Sequence, residues 1–265
     1  MLTPLLRLAR RWFESAMPEQ DDFPLCVPEW SEPMAEQHAA IWWQVKPFTM
    51  TSVERVVALC QSIAYVENQR IPGAIVECGV WKGGSVMAAA LALLALESTQ
   101  RQLYLYDTFA GMPEPADIDV DWQGQPARTL LRQRTPEAEQ MRAACPLHEV
   151  KETLMQTRYP WEKLIFVPGR VEQTIPAQLP DRIALLRLDT DWYESTYHEL
   201  THLYPRLADG GVLIVDDYGH WQGARQAVDD YFSRNGIAAD LRTIDFTGRL
   251  LIKRTAPASA VALAA

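Results

Sequence analysis

The chain has little of three things, and each shortage narrows its possible roles. No apolar run approaches the ~18 residues that would cross a bilayer. Basic residues are in deficit, with 25 Lys and Arg against 34 Asp and Glu and a formal charge of −9. Binding a phosphate backbone needs clustered Lys and Arg, so no nucleic-acid partner is expected. Cysteine is sparse: Cys26, Cys60, Cys78 and Cys145 are scattered without a CxxC pair. That usage suits a reducing cytoplasm better than a disulfide framework. Residues 2–13 are basic and amphipathic but carry no small-residue cleavage site. A helix docked on the body or on another subunit is expected there, with a position on a membrane surface as the alternative.

What is present is enough for a full α/β domain. At 265 residues and 48% hydrophobic, the chain can cover both faces of a central sheet with helices. Residues 1–45, rich in Pro, Trp and acidic side chains, read as an N-terminal cap. Residues 46–255 read as one domain, and the Ala-rich 256–265 as a disordered tail. Apolar residues at helical spacing predict a helix over 52–69. Strand-like runs follow at 73–78, 102–106, 164–167, 183–188 and 212–215, with helices expected over 84–97, 195–207 and 223–233. The runs 241–246 and 250–254 flank Thr247 and Gly248 and predict a terminal hairpin. Strands alternating with helices give a parallel sheet with right-handed crossovers, so the expected fold is Rossmann-like. Residues 113–160 interrupt this rhythm with six prolines; a polar insertion of that length at a sheet edge predicts a lid or substrate loop.

Three constellations carry chemistry. Glu77-Cys78-Gly79-Val80-Trp81-Lys82-Gly83-Gly84-Ser85 follows the first strand, where glycines allow close backbone approach and a helix presents free N–H groups. Asp107 ends the second strand, where a carboxylate can accept hydrogen bonds from both ribose hydroxyls of an adenosine. Together they predict an adenosine-containing cofactor. Asp189 and Asp191 lie at the end of the fourth strand, and Asp216 and Asp217 at the end of the fifth. Four converging carboxylates would repel one another and raise one another's pKa values. A hard divalent cation relieves that conflict, and an all-oxygen donor set suits Mg²⁺ better than zinc. An acidic helix-capping patch is the alternative.

His198-Glu199-Leu200-Thr201-His202 also matches H-E-x-x-H, the helix signature of zinc peptidases. Pro205 ends that helix within a turn, no third ligand follows on a second helix, and the segment sits inside a βαβ crossover. A surface or interface histidine pair is the plainer reading.

The ordered segments PFTMTSVERV (47–56), IPGAIVECGVWKGGS (71–85), YDTFAGMPEP (106–115), FVPGRVEQTIP (166–176), LLRLDTDWYEST (185–196), LYPRLADGGVLIVDDYG (203–219) and GARQAVDDYF (223–232) resemble the macrocin O-methyltransferase family. That family methylates sugar hydroxyls of antibiotics and related glycans. The resemblance implies a class I methyltransferase sheet of seven strands, mostly parallel, ending in the antiparallel hairpin. It implies S-adenosylmethionine and Mg²⁺ as cofactors, with Asp189, Asp216 and Asp217 binding the cation and Asp191 as general base. Glu77, Gly79, Ser85 and Asp107 would hold the cofactor, with Thr49 and Met50 as further contacts. His220 is a second candidate base, because its neutral form is available at pH 7. The acceptor would be a small molecule or glycosylated metabolite offering a hydroxyl, and a homodimer is expected. A non-catalytic adenosine-ligand binder on the same fold is the rival from another class.

Overall fold

A computed structural model describes residues 35–254. The expected amphipathic segment at 2–13, most of the expected cap and the expected tail lie outside the described residues. The cap's last stretch forms helix α1 (Ala35–Val45), which buries Ile41, Trp42 and Val45. Next come α2 (Val53–Asn68), β1 (Ala74–Cys78), α3 (Gly84–Ala95) and β2 (Leu103–Asp107). Three short helices occupy the long connection: α4 (Ala127–Leu131), α5 (Pro136–Met141) and α6 (Leu147–Met155). The chain continues through β3 (Leu164–Pro168), α7 (Val171–Thr174), β4 (Ile183–Leu188), α8 (Tyr193–Leu203), β5 (Leu207–Val215) and α9 (Gln222–Arg234). It closes with β6 (Arg242–Thr243) and β7 (Arg249–Ile252).

The seven strands form one sheet in the order β3-β2-β1-β4-β5-β7-β6. β1 to β5 pair in parallel, while β7 runs antiparallel to both β5 and β6. Alternation along the strands divides the core. On β5, Val212 and Ile214 join the layer under α1, α2, α3 and α6, whereas Leu213 and Val215 join the layer under α8 and α9. Burial on both faces explains why β1 and β4 read as continuous apolar runs. Two neighbouring strands whose crossovers lie on opposite faces leave a crevice at their carboxyl ends, and here that pair is β1 and β4.

The structure departs furthest from the sequence reading at three element ends. Helix α8 stops at Leu203 rather than 207, because Pro205 lacks the N–H that the next turn would need. β5 starts at Leu207 rather than 212: Leu207 pairs with Ile183, and Gly210 N–H donates to the Lys253 carbonyl at 2.7 Å. β6 spans two residues rather than six. Asp245 Oδ1 accepts the N–H groups of Thr247 (3.0 Å) and Gly248 (2.6 Å), turning the chain away from the ladder.

Candidate active site

The carboxyl ends of β1, β2, β4 and β5 open into a cavity of about 370 Å³. Every residue expected to touch a cofactor lines it: Thr49, Met50, Glu77, Gly79, Ser85 and Asp107. Gly79 adopts φ +85°, and a Cβ there would stand 1.9 Å from the Asp189 carbonyl oxygen, so only glycine lets β1 and β4 end this close together. Gly84 opens α3 against the Phe48–Thr49 backbone, where a Cβ would meet the Phe48 carbonyl at 2.5 Å. Asp107 is held in place by backbone donors: Val80 N–H (2.6 Å) and Trp81 N–H (3.0 Å) on Oδ2, and Phe109 N–H (2.7 Å) on Oδ1. A carboxylate has about four lone-pair sites. Asp107 therefore keeps acceptor capacity toward the cavity while its rotamer is locked.

The acidic residues divide differently from the expected grouping. Asp189, Asp191 and Asp217 each place a carboxylate oxygen within 4.8 Å of the other two. Asp216 stands behind them with both oxygens engaged. Oδ1 accepts Arg187 Nη2 at 2.5 Å, Oδ2 accepts Arg55 Nη1, and the Thr51 hydroxyl reaches both at 3.4 and 3.5 Å. Asp191 thus groups with Asp189 and Asp217 where Asp216 was the expected third acid, while two guanidinium groups hold Asp216. Burial and then its acidic neighbours raise the Asp189 and Asp217 carboxyls well above the usual range, although Arg187 pulls Asp189 the other way. Burial pushes Asp191 up to about 7, against a hydrogen bond from Asp217. Asp217 Oδ2 is buried with no hydrogen-bond partner. Asp191 also has φ +68°, a left-handed conformation that turns its side chain back toward the cluster.

Arg187, Arg55 and Thr51 are the site residues that sequence reasoning missed. Arg187 is 3% exposed in the middle of the sheet and bridges Glu77 (3.0 Å), Asp189 (2.7 Å) and Asp216 (2.5 Å). A cation inside the apolar run Ile183–Leu188 was the available signal, since a buried charge requires partners. Burial lifts Glu77 to about 7 even with Arg187 pulling it down.

The H-E-x-x-H segment does not assemble a metal site. His198 Nε2 lies 3.0 Å from the Ile175 carbonyl, and its ring is tilted against that of His202 at 4.5 Å. Glu199 points the other way, into the interior, where Oε1 accepts the Thr190 hydroxyl at 3.0 Å. Among the described residues only Asp189, Asp191 and Asp217 form a group able to hold a metal ion. His220 lines the main cavity, and burial lowers its pKa.

Comparison with known proteins agrees with this architecture. The sequence pattern of the Macrocin-O-methyltransferase (TylF) family matches residues 7–253. The chain is 33% identical to demethyldecarbamoylnovobiocin O-methyltransferase of Streptomyces niveus over 206 residues, 78% of this chain and 76% of that protein. It is 34% identical, with the same coverage, to the 8-demethyl-8-(2,3-dimethoxy-alpha-L-rhamnosyl)-tetracenomycin-C 4'-O-methyltransferase of Streptomyces olivaceus. Among solved structures, the O-methyltransferase NovP superposes with a TM-score of 0.69 at 31% identity, covering 78% of this chain and 83% of its own. The chain belongs to the macrocin O-methyltransferase family and is an S-adenosylmethionine-dependent O-methyltransferase.

Proposed function

We propose that the chain methylates a hydroxyl of a sugar or glycosylated metabolite, assisted by Mg²⁺, with Asp191 as general base. The observation that carries this reading is the meeting of an adenosine-type crevice with a carboxylate cluster in one cavity. The acceptor class draws support from the relatives, one named for a rhamnosyl substrate and another, from Micromonospora griseorubida, as mycinamicin III 3''-O-methyltransferase.

The donor set fits a hard divalent cation: all donors are oxygens, Arg187 and Arg55 offset only part of their repulsion, and Asp217 Oδ2 is buried and unpartnered. Asp189 and Asp217 would hold the ion. Asp216 joins them only by giving up part of its bonds to Arg187 and Arg55. When bound, the cation would neutralise the cluster and lower the pKa of an acceptor hydroxyl. Asp191, a member of the cluster that lines the cavity, accepts the hydroxyl proton. Asp107 fixes the ribose and Gly79 admits the cofactor's backbone contacts, so the electrophilic methyl and the hydroxyl are held in line. Methyl transfer needs little else from the protein, and positioning supplies much of the rate.

Part of the 113–160 segment closes over the acceptor in this proposal. Glu137, Gln140, Met141 and Ala143 line the cavity from α5 and its end. By contrast α6 buries Val150 and Leu154 and packs against Gly83, which ties it to the body. Ala127 and Cys145 are buried in the body as well, so the moving part is assigned to residues 132–143.

Methyl transfer from labelled S-adenosylmethionine to a panel of methyl hexopyranosides and methyl 6-deoxyhexopyranosides tests the reading. Product should form with Mg²⁺ and fall at least tenfold with a chelator. Turnover unaffected by chelation removes the cation, and cofactor binding without methylation of any sugar removes the acceptor class.

A further inference from the structure

The loop from β5 to α9 serves two cavities. Asp217 belongs to the carboxylate cluster, whereas the next residue, Tyr218, turns into a second groove of about 540 Å³. Trp221 borders both the groove and the reaction cavity. The far wall is Trp122, 53% exposed and edge-on to Phe246, itself 62% exposed, at 5.6 Å. Two large aromatic side chains left in solvent beside a site are unusual without a ligand to cover them. Trp122 is not on a loose loop. Asp121 bridges to Trp221, its N–H donates to the Gln125 carbonyl at 2.9 Å, and its carbonyl accepts Gln222 Nε2 at 3.0 Å.

The remaining wall is polar and comes from α9. Arg225 stacks over the Tyr218 ring at 5.3 Å, and the Tyr218 hydroxyl donates to Asp229 at 2.8 Å. Gln222 and Gln226 complete that side. Flat aromatic faces opposed by guanidinium, carboxylate and amide groups suit a pyranose: its C–H face stacks on a ring while neighbouring hydroxyls meet planar donors and acceptors. An anion is disfavoured, because Asp229 sits in the wall. The volume is that of a small-molecule pocket rather than a protein interface.

We propose that this groove is an outer acceptor subsite that binds a second pyranose unit, linked to the one being methylated. The inference rests on the sugar-acceptor reading and deepens it: the acceptor carries at least two sugar rings. Trp122 acts as the stacking platform, Trp221 is the buried floor that carries it, and Arg225 and Asp229 are the hydroxyl contacts.

The test is calorimetry on the full chain saturated with S-adenosylhomocysteine and Mg²⁺. The probes are methyl α-L-rhamnopyranoside and methyl glycosides of rhamnosyl-rhamnose with different linkages. At least one disaccharide should bind about tenfold more tightly than the monosaccharide, the gain that a stacked ring supplies. Trp122→Ala should erase that advantage while leaving monosaccharide and S-adenosylhomocysteine affinities within twofold, and Trp122→Phe should keep most of it. Equal affinities in the wild type, or an advantage that survives in Trp122→Ala, overturns the subsite. If the monosaccharide is methylated but no disaccharide gains affinity, the subsite alone fails. If no saccharide binds or is methylated, the sugar-acceptor reading fails and takes the subsite with it.

Discussion

Replacing Arg187 by Met tests whether one buried cation organises the carboxylate edge. Its guanidinium lies 2.5–3.0 Å from three carboxylates, and Glu77 and Asp216 are only 5% and 3% exposed. Met fills much of the volume but leaves Glu77 and Asp189 without their ion-pair partner, and Asp216 with Arg55 alone. Removing one partner of a buried ion pair costs about 3–5 kcal/mol, a large share of the 5–15 kcal/mol that typically holds a domain together. The loss should depend on pH. Glu77 and Asp189 already have native pKa values above their unfolded ones, so the native state binds more protons than the unfolded chain between about pH 4 and 7. Stability of the metal-free protein therefore falls as pH rises through that window, and without Arg187 both carboxyls move higher and the fall steepens. At pH 6 protonation relieves part of the strain, giving a loss of roughly 3 kcal/mol; at pH 8 roughly 5 kcal/mol is expected. Urea unfolding of metal-free wild type and Arg187→Met at both pH values measures this, with m-values compared to confirm one transition. A loss below about 1 kcal/mol, equal at both pH values, would refute the role given to Arg187.

Other outcomes follow from the same contacts. Asp107→Ala removes the proposed ribose acceptor and the pin on the Val80 and Trp81 amides; calorimetry should show S-adenosylmethionine binding weakened about 10–100-fold, and unchanged affinity would reject the assignment. Glu199 is buried, and burial raises its pKa well above the ordinary value, which favours the neutral acid. Glu199→Gln should therefore change stability by less than ~1 kcal/mol, whereas Glu199→Ala, which leaves a void and an unpaired Thr190 hydroxyl, should cost about 2–4 kcal/mol in urea unfolding. Limited proteolysis should cut residues 132–143 more slowly when cofactor and acceptor are both bound; identical cleavage with and without them would exclude closure.

Much of this was legible from local sequence because the fold concentrates its chemistry at strand ends. Asp107, Asp189 and Asp217 could be placed by finding where an apolar run stops. The separation of Asp216 from the other acids could not, since it depends on Arg55, 161 residues away, and on Arg187 from the neighbouring strand. The start of α8 was equally hidden: its first N–H, on Tyr193, donates to Asp119 Oδ1 at 2.8 Å, a cap delivered from the long connection after β2. Residues 208–211 fall between an expected helix and an expected strand, yet pairing of Leu207 with Ile183 and of Gly210 and Gly211 with Lys253 places 207–211 in β5. In each case a contact distant in sequence overrode a local signal.

The central claim is that the carboxylates divide between holding a cation and accepting a proton. Titrating Mg²⁺ during turnover of Asp189→Asn, Asp217→Asn and Asp191→Asn tests it most directly. The account predicts that Asp189→Asn and Asp217→Asn require more Mg²⁺ and regain part of their rate in excess. Asp191→Asn should bind Mg²⁺ and S-adenosylmethionine almost as the wild type does, with kcat about 10²–10⁴-fold lower at every Mg²⁺ concentration. Full recovery of Asp191→Asn in excess Mg²⁺ would contradict the division, making Asp191 a ligand and His220 the base.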